Sequence, residues 1–188
     1  MSTLRRVGLA TVAMLAVALP GAFAANGPPF QLRSVEAQEV DGVYLLDAVA
    51  RLRLTPTVRH ALHGGVGLVM SWNIEIVRER PWWLEAEVAE LSQRYYIEYH
   101  ELSLQYLVTN LNTGERRNFV DLKGALAHIG RLYKFPLLDR VVIEGQPGHR
   151  GRAQVRLDHG ALPWALRPTA LMSSAWSLES QWLGWSFE

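Results

Sequence analysis

The chain has 188 residues, with 19 basic and 18 acidic side chains, 49% hydrophobic residues and no cysteine. That composition fits an ordinary globular domain. It excludes disulfide staples and a lipid-modified cysteine, and it argues against nucleic acid as a partner.

The first 24 residues read as a separate object. Arg5 and Arg6 precede an almost wholly apolar run, Val7 to Leu19, which Pro20-Gly21 breaks. Ala22-Phe23-Ala24 then offers small residues where signal peptidase reads them, so residues 1–24 are expected to be a secretory signal peptide cut before Ala25. The run is short for a bilayer span; an uncleaved anchor is the alternative. Loss of Arg5 and Arg6 takes 19 basic residues to 17 against 18 acidic, a net charge of −1. Export without cysteine points to a bacterial periplasm, where disulfides are optional. Residues 25–188 suffice for one domain with its own core.

Phe30 to Val40 predicts a strand and Asp41-Gly42 a two-residue hairpin turn. The return strand, Val43 to Leu54, puts Tyr44, Leu46, Ala48, Ala50, Leu52 and Leu54 on one face, with Asp47, Arg51 and Arg53 on the other. Thr55-Pro56 opens a short helix, with Thr as N-cap and Pro in the first turn, and Gly64-Gly65 ends it. From Val66 every second residue is apolar through Leu68, Met70, Trp72, Ile74 and Ile76. This alternation predicts the long central strand of the domain, dry on one face and closed off by Pro81. Trp82 to Leu91 has no single period.

Gln93 to Tyr99 and Leu102 to Asn110 predict two further strands, the second with Leu102, Leu104, Tyr106 and Val108 on one face. Asn112-Thr113-Gly114 makes a turn, and a short strand follows through Asn118 to Val120. Asp121 caps a helix whose apolar stripe is Leu122, Ala125, Leu126, Ile129, Leu132 and Tyr133, with Lys123, His128 and Arg131 facing away. Val141 to Ile143 and Ala153 to Leu157 predict two more strands. The C-terminal stretch, with Trp176, Leu178 and Trp182 on one face, is expected to be extended. Eight or nine strands and two short helices predict a mainly β chain folded as an antiparallel β-sandwich, with an immunoglobulin-like architecture among its forms.

No catalytic or ligand motif rises above background. His60-x-x-His63 lacks the further ligands zinc needs, and His149 and His159 are no better placed. No Gly-x-Ser-x-Gly elbow is present. The carboxylate pairs Glu85, Glu87 and Glu90, or Glu98 and Glu101, leave a hydrolase as the least favoured reading. No cofactor and no metal are expected. The seven tryptophans carry more information. Trp72 faces the core, whereas Trp82 and Trp83 are consecutive and point to opposite faces of an extended segment. An exposed tryptophan beside Arg78 or Arg80 suits a protein hot spot or stacking on a sugar ring.

Several motifs recur in a known order: Gly65-Val66, Arg78-x-Arg80-x-Trp82-Trp83, Tyr99-His100-x-Leu102, Leu157-Asp158, Leu162-Pro163 and Trp176-Ser177-Leu178-x-Ser180-x-Trp182. In these the chain resembles the proteobacterial family known as domain of unknown function 4390. The resemblance implies an exported protein with no assigned activity. It also implies a neighbouring sensor kinase of the nitrogen-regulation type, which makes an envelope or inner-membrane protein the candidate partner. The expected binding residues are Arg78, Arg80, Trp82 and Trp83, with Tyr99 and His100 as neighbours. A non-catalytic module that binds an envelope protein is the first reading, and a carbohydrate- or peptidoglycan-binding module the second.

Overall fold

The structure is a computed structural model that describes residues 27–79, 86–145 and 147–187. Strands β1 (Phe30–Val40) and β2 (Val43–Leu52) form the expected hairpin. Asp41 and Gly42 both take positive φ, 52° and 84°, as a two-residue turn matched to strand twist requires. The alternation of β2 is obeyed: Tyr44, Leu46, Ala48, Ala50 and Leu52 are all buried. Helix α1 (Pro56–His63) starts where Thr55 Oγ1 accepts the N–H of Val58, and it buries Val58 and Leu62.

Strand β3 (Leu68–Arg78) lies between β4 (Ala86–His100) and β8 (His149–Leu157), paired antiparallel to both. Outward from β4 come β5 (Gln105–Asn110) and β6 (Arg116–Phe119); beyond β8 comes β9 (Leu183–Ser186). These make a six-stranded sheet, β6-β5-β4-β3-β8-β9. The second sheet is β1-β2-β7, with β7 running Arg131–Asp139. The chain is therefore an antiparallel β-sandwich, as the strand spacing predicted. Leu68, Met70, Trp72, Ile74 and Ile76 of β3 are completely buried between the layers. Each aliphatic side chain so buried contributes roughly 1.5–3 kcal/mol.

Helix α2 (Leu122–Ile129), capped by Asp121 Oδ1 on the N–H of Gly124, packs on β2, β5, β6 and β7. It fills the edge where the larger sheet overhangs the smaller. Its last carbonyl, on Ile129, accepts the indole N–H of Trp72 at 2.8 Å. A third helix, α3 (Arg167–Met172), follows β8 and buries Ala170.

Several expectations are corrected. Strand β4 begins at Ala86 rather than Gln93, because its register with β3 continues unbroken to a bulge at Ile76/Val77. Strand β5 begins only at Gln105: Leu102 and Leu104 lie in the tight β4–β5 turn, exposed, with Leu104 at φ 53°. The helical stripe stops at Ile129, and Leu132 and Tyr133 belong to β7. The turn is at Gly130, whose carbonyl accepts the Ala50 N–H at 2.7 Å in an approach that only glycine allows, since a Cβ there would meet the Ala50 oxygen at 2.4 Å; from there the chain joins β2. Val141 falls in a 3-10 turn, Arg140–Val142, not a strand. His128 is half-buried against Tyr95 and Phe119 rather than facing away. The outer face of β3 is also not wholly wet, since Val69, Ser71 and Val77 are buried.

The edge strand β7 pairs irregularly with β2. Its register with β2 shifts twice, Pro136 has no N–H, and Lys134 takes φ 48° while its N–H goes to Asp47 Oδ1 at 2.9 Å.

Candidate functional site

An open groove of about 1050 Å³ lies at the end of the sandwich where β2 hands over to α1. Its floor comes from the inward alternation of β2, Ala50, Leu52 and Leu54, and from Leu122 and Leu126 of α2. Tyr106 of β5 closes the back, and Gly27, Pro28 and Pro29 form one wall. Four cations line it: Arg51 and Arg53 from β2 and its end, Arg59 from α1, and Lys123 from α2. No carboxylate lines it among the described residues.

The wall is held by Arg53. Its backbone N–H donates to the Pro29 carbonyl at 2.9 Å, and its Nη2 donates to the carbonyls of Gly27 and Pro28. Behind Tyr106 lies a small aromatic group. The Tyr106 hydroxyl and His63 Nε2 are 2.7 Å apart, and the Tyr99 ring centroid is 4.8 Å from His63 and 5.0 Å from Tyr106. Burial, helped by Tyr99 and the nearby Asp121 carboxylate and opposed by Arg59, pushes the Tyr106 hydroxyl above its usual value. A neutral hydroxyl at the back and cations at the rim suit a ligand with an apolar body and acidic groups.

The expected binding residues do not form one patch. Arg78 ends β3 opposite Ala86, whereas Tyr99 and His100 sit at the far end of β4. At 3.2–3.4 Å per residue the length of β4 separates them by about 40 Å. Tyr99 and His100 are thus not neighbours of Arg78. Arg80, Trp82 and Trp83 lie outside the described residues. Tyr99 instead stands beside the groove through His63 and Tyr106, and His100 pairs with Glu98 at 3.3 Å on the outer face.

The tryptophans divide clearly. Trp72 and Trp176 are core residues, Trp182 stacks on Arg152 at 5.2 Å, and Trp164 is 82% exposed. The His60/His63 and His149/His159 expectations resolve similarly. His63 is engaged with Tyr106, His159 Nε2 meets the Trp176 carbonyl at 2.8 Å, and His149 is buried at the opposite end of β8 from His159. Among the described residues no three His, Asp or Glu side chains converge as a metal site, and no helix is long and apolar enough to cross a membrane.

Sequence reasoning missed the groove. Its residues come from four separated segments, and only the position of Arg51 and Arg53 opposite the apolar face of β2 hinted at a cationic rim.

Comparison with known proteins gives one match. A family model described as "Domain of unknown function (DUF4390)" matches residues 27–186. No curated protein and no solved structure matches the chain.

Proposed function

We propose, from the premise that this chain belongs to the DUF4390 family, that it is a non-catalytic binding module of the periplasm. Its groove takes an acidic, amphipathic segment of another envelope protein, with the extracytoplasmic part of a membrane sensor kinase as the candidate partner. The leader-like Arg5 to Ala24 supports export. The observation that carries the reading is the pairing of an apolar floor with Arg51, Arg53, Arg59 and Lys123 and no lining carboxylate among the described residues. Opposed charge sets orientation and on-rate, and buried apolar contact supplies affinity.

The test is in-cell photocrosslinking from the groove rim, with the crosslinking residue at Ala127. The full chain is compared with the double reversal Arg59→Glu, Lys123→Glu. Recovery of one envelope protein by the wild type, at least tenfold reduced by the reversal, is the expected result. Recovery that is equal in both would remove the groove as the site.

A further inference from the structure

The two ends of the sandwich differ in chemistry. The strand registers put the carboxyl ends of β2, β4 and β8 and the amino ends of β1, β3 and β5 at one end. Contacts across the layers confirm that the sheets share it: Thr55 Oγ1 donates to the Ala175 carbonyl at 2.7 Å, and His63 meets Tyr106. The connections at this end present large apolar side chains to water. Leu102 is 104% exposed, Leu104 66%, Trp164 82% and Met172 91%. A lone exposed apolar residue is ordinary, but four gathered on the connections of one end mark a candidate interaction site.

Three further observations say what receives them. The chain enters the described fold here, at Gly27 beside the groove, and where the leader is left uncut its apolar run Val7 to Leu19 ends eight residues earlier. The groove cations Arg51, Arg53, Arg59 and Lys123 open at the same end, against Glu101 in the β4–β5 turn, Asp121 at the start of α2 and Asp158 after β8, the last paired with Arg94 at 3.0 Å. The opposite end carries exposed Val141 and Val142 but is acidic, with Glu39, Asp41 and Asp139 nearby in the β1–β2 turn and at the end of β7. There Arg140 is paired with Glu144 at 2.8 Å and Arg150 with Glu79 at 2.9 Å.

We propose that the first end rests on a bilayer surface containing anionic lipids, with Leu102, Leu104, Trp164 and Met172 in the interface. Apolar side chains on turns enter the headgroup boundary, and each nearby cation adds attraction to an anionic surface. The acidic end is held away. This goes beyond the groove's protein partner and needs none: a module lying in this way opens its groove next to the membrane.

The absence of cysteine makes the test simple. Leu102→Cys, Met172→Cys and Val142→Cys are made singly in the full chain, each at an exposed position, and labelled with an environment-sensitive fluorophore. Vesicles of phosphatidylethanolamine with phosphatidylglycerol are compared with phosphatidylcholine alone and with buffer. The expected result is a blue shift at 102 and 172 in the anionic vesicles, smaller in phosphatidylcholine, and none at 142. Emission at 102 and 172 unchanged from buffer would overturn the proposal, even if the chain is tethered by its N-terminal run. An equal shift at all three positions would also overturn it, as association without orientation. The vesicles contain no protein, so neither result bears on the groove's partner.

Discussion

The indole N–H of Trp72 donates to the carbonyl oxygen of Ile129 at 2.8 Å. One bond thus joins the central strand of the larger sheet to the final turn of α2, the helix that floors the groove. Trp72 is wholly buried, so no water replaces the bond when it is lost. Trp72→Phe removes the donor, shrinks the core and leaves a helix-end carbonyl unpaired. The expected cost is about 3 kcal/mol, read as a lower midpoint in urea unfolding with an unchanged slope.

A second prediction concerns the point where helix gives way to strand. The Gly130 carbonyl accepts the Ala50 N–H at 2.7 Å, and a Cβ on Gly130 would sit 2.4 Å from the Ala50 oxygen. Both atoms in conflict are backbone. Gly130→Ala is expected to cost about 3 kcal/mol and to loosen β7 first. Hydrogen exchange at Leu132 and Phe135 would show that loosening; protection equal to wild type would contradict it.

The β4–β5 turn makes the opposite prediction. Leu104 is held at φ 53°, where a branched side chain is strained, and it is mostly exposed. Leu104→Gly relieves the strain while losing little packing. It should raise the stability of the protein in buffer by about 0.5–1 kcal/mol, seen in urea unfolding. A leucine retained there at a stability cost fits a residue whose use lies outside the fold.

His128 sets a pH dependence. Burial between Tyr95 and Phe119, reinforced by Arg117 and opposed by Glu115, lowers its pKa below the ordinary 6.5. The unfolded chain then binds the proton more readily than the folded one. Stability contributed by the neutral ring is complete above 6.5, is lost as pH falls towards the folded value, and levels off below it. Melting temperatures between pH 7.5 and 5 should fall in wild type and fall less in His128→Gln. Parallel curves would count against the assignment.

Much of the sandwich was legible because local signals agreed with one another. The β1–β2 hairpin combines strict alternation with Asp41-Gly42, and α1 is announced by Thr55-Pro56. Strand β7 was hidden because Leu132 follows Ile129 at helical spacing, and the turn at Gly130 depends on a close backbone approach to Ala50 of β2 that no local signal records. Leu102 and Leu104 continue the alternation of β5, but the turn from β4 leaves them no strand to pair with. The site was the least legible part. Arg78 and Tyr99 are close in sequence terms, on adjacent strands, yet antiparallel pairing sends them to opposite ends. The groove joins side chains far apart in the chain, and no local period records that meeting.

The bent edge strand β7 bears on how this protein can take a partner. A regular free strand invites another backbone to zip alongside it, whether from a ligand peptide or from a second copy of the chain. Here Pro136 has no N–H, and on the side paired with β2 the Lys134 N–H turns to Asp47 and the register shifts twice, so the strand is bent. A strand bent by such irregularities is a poor template for sheet extension along this border.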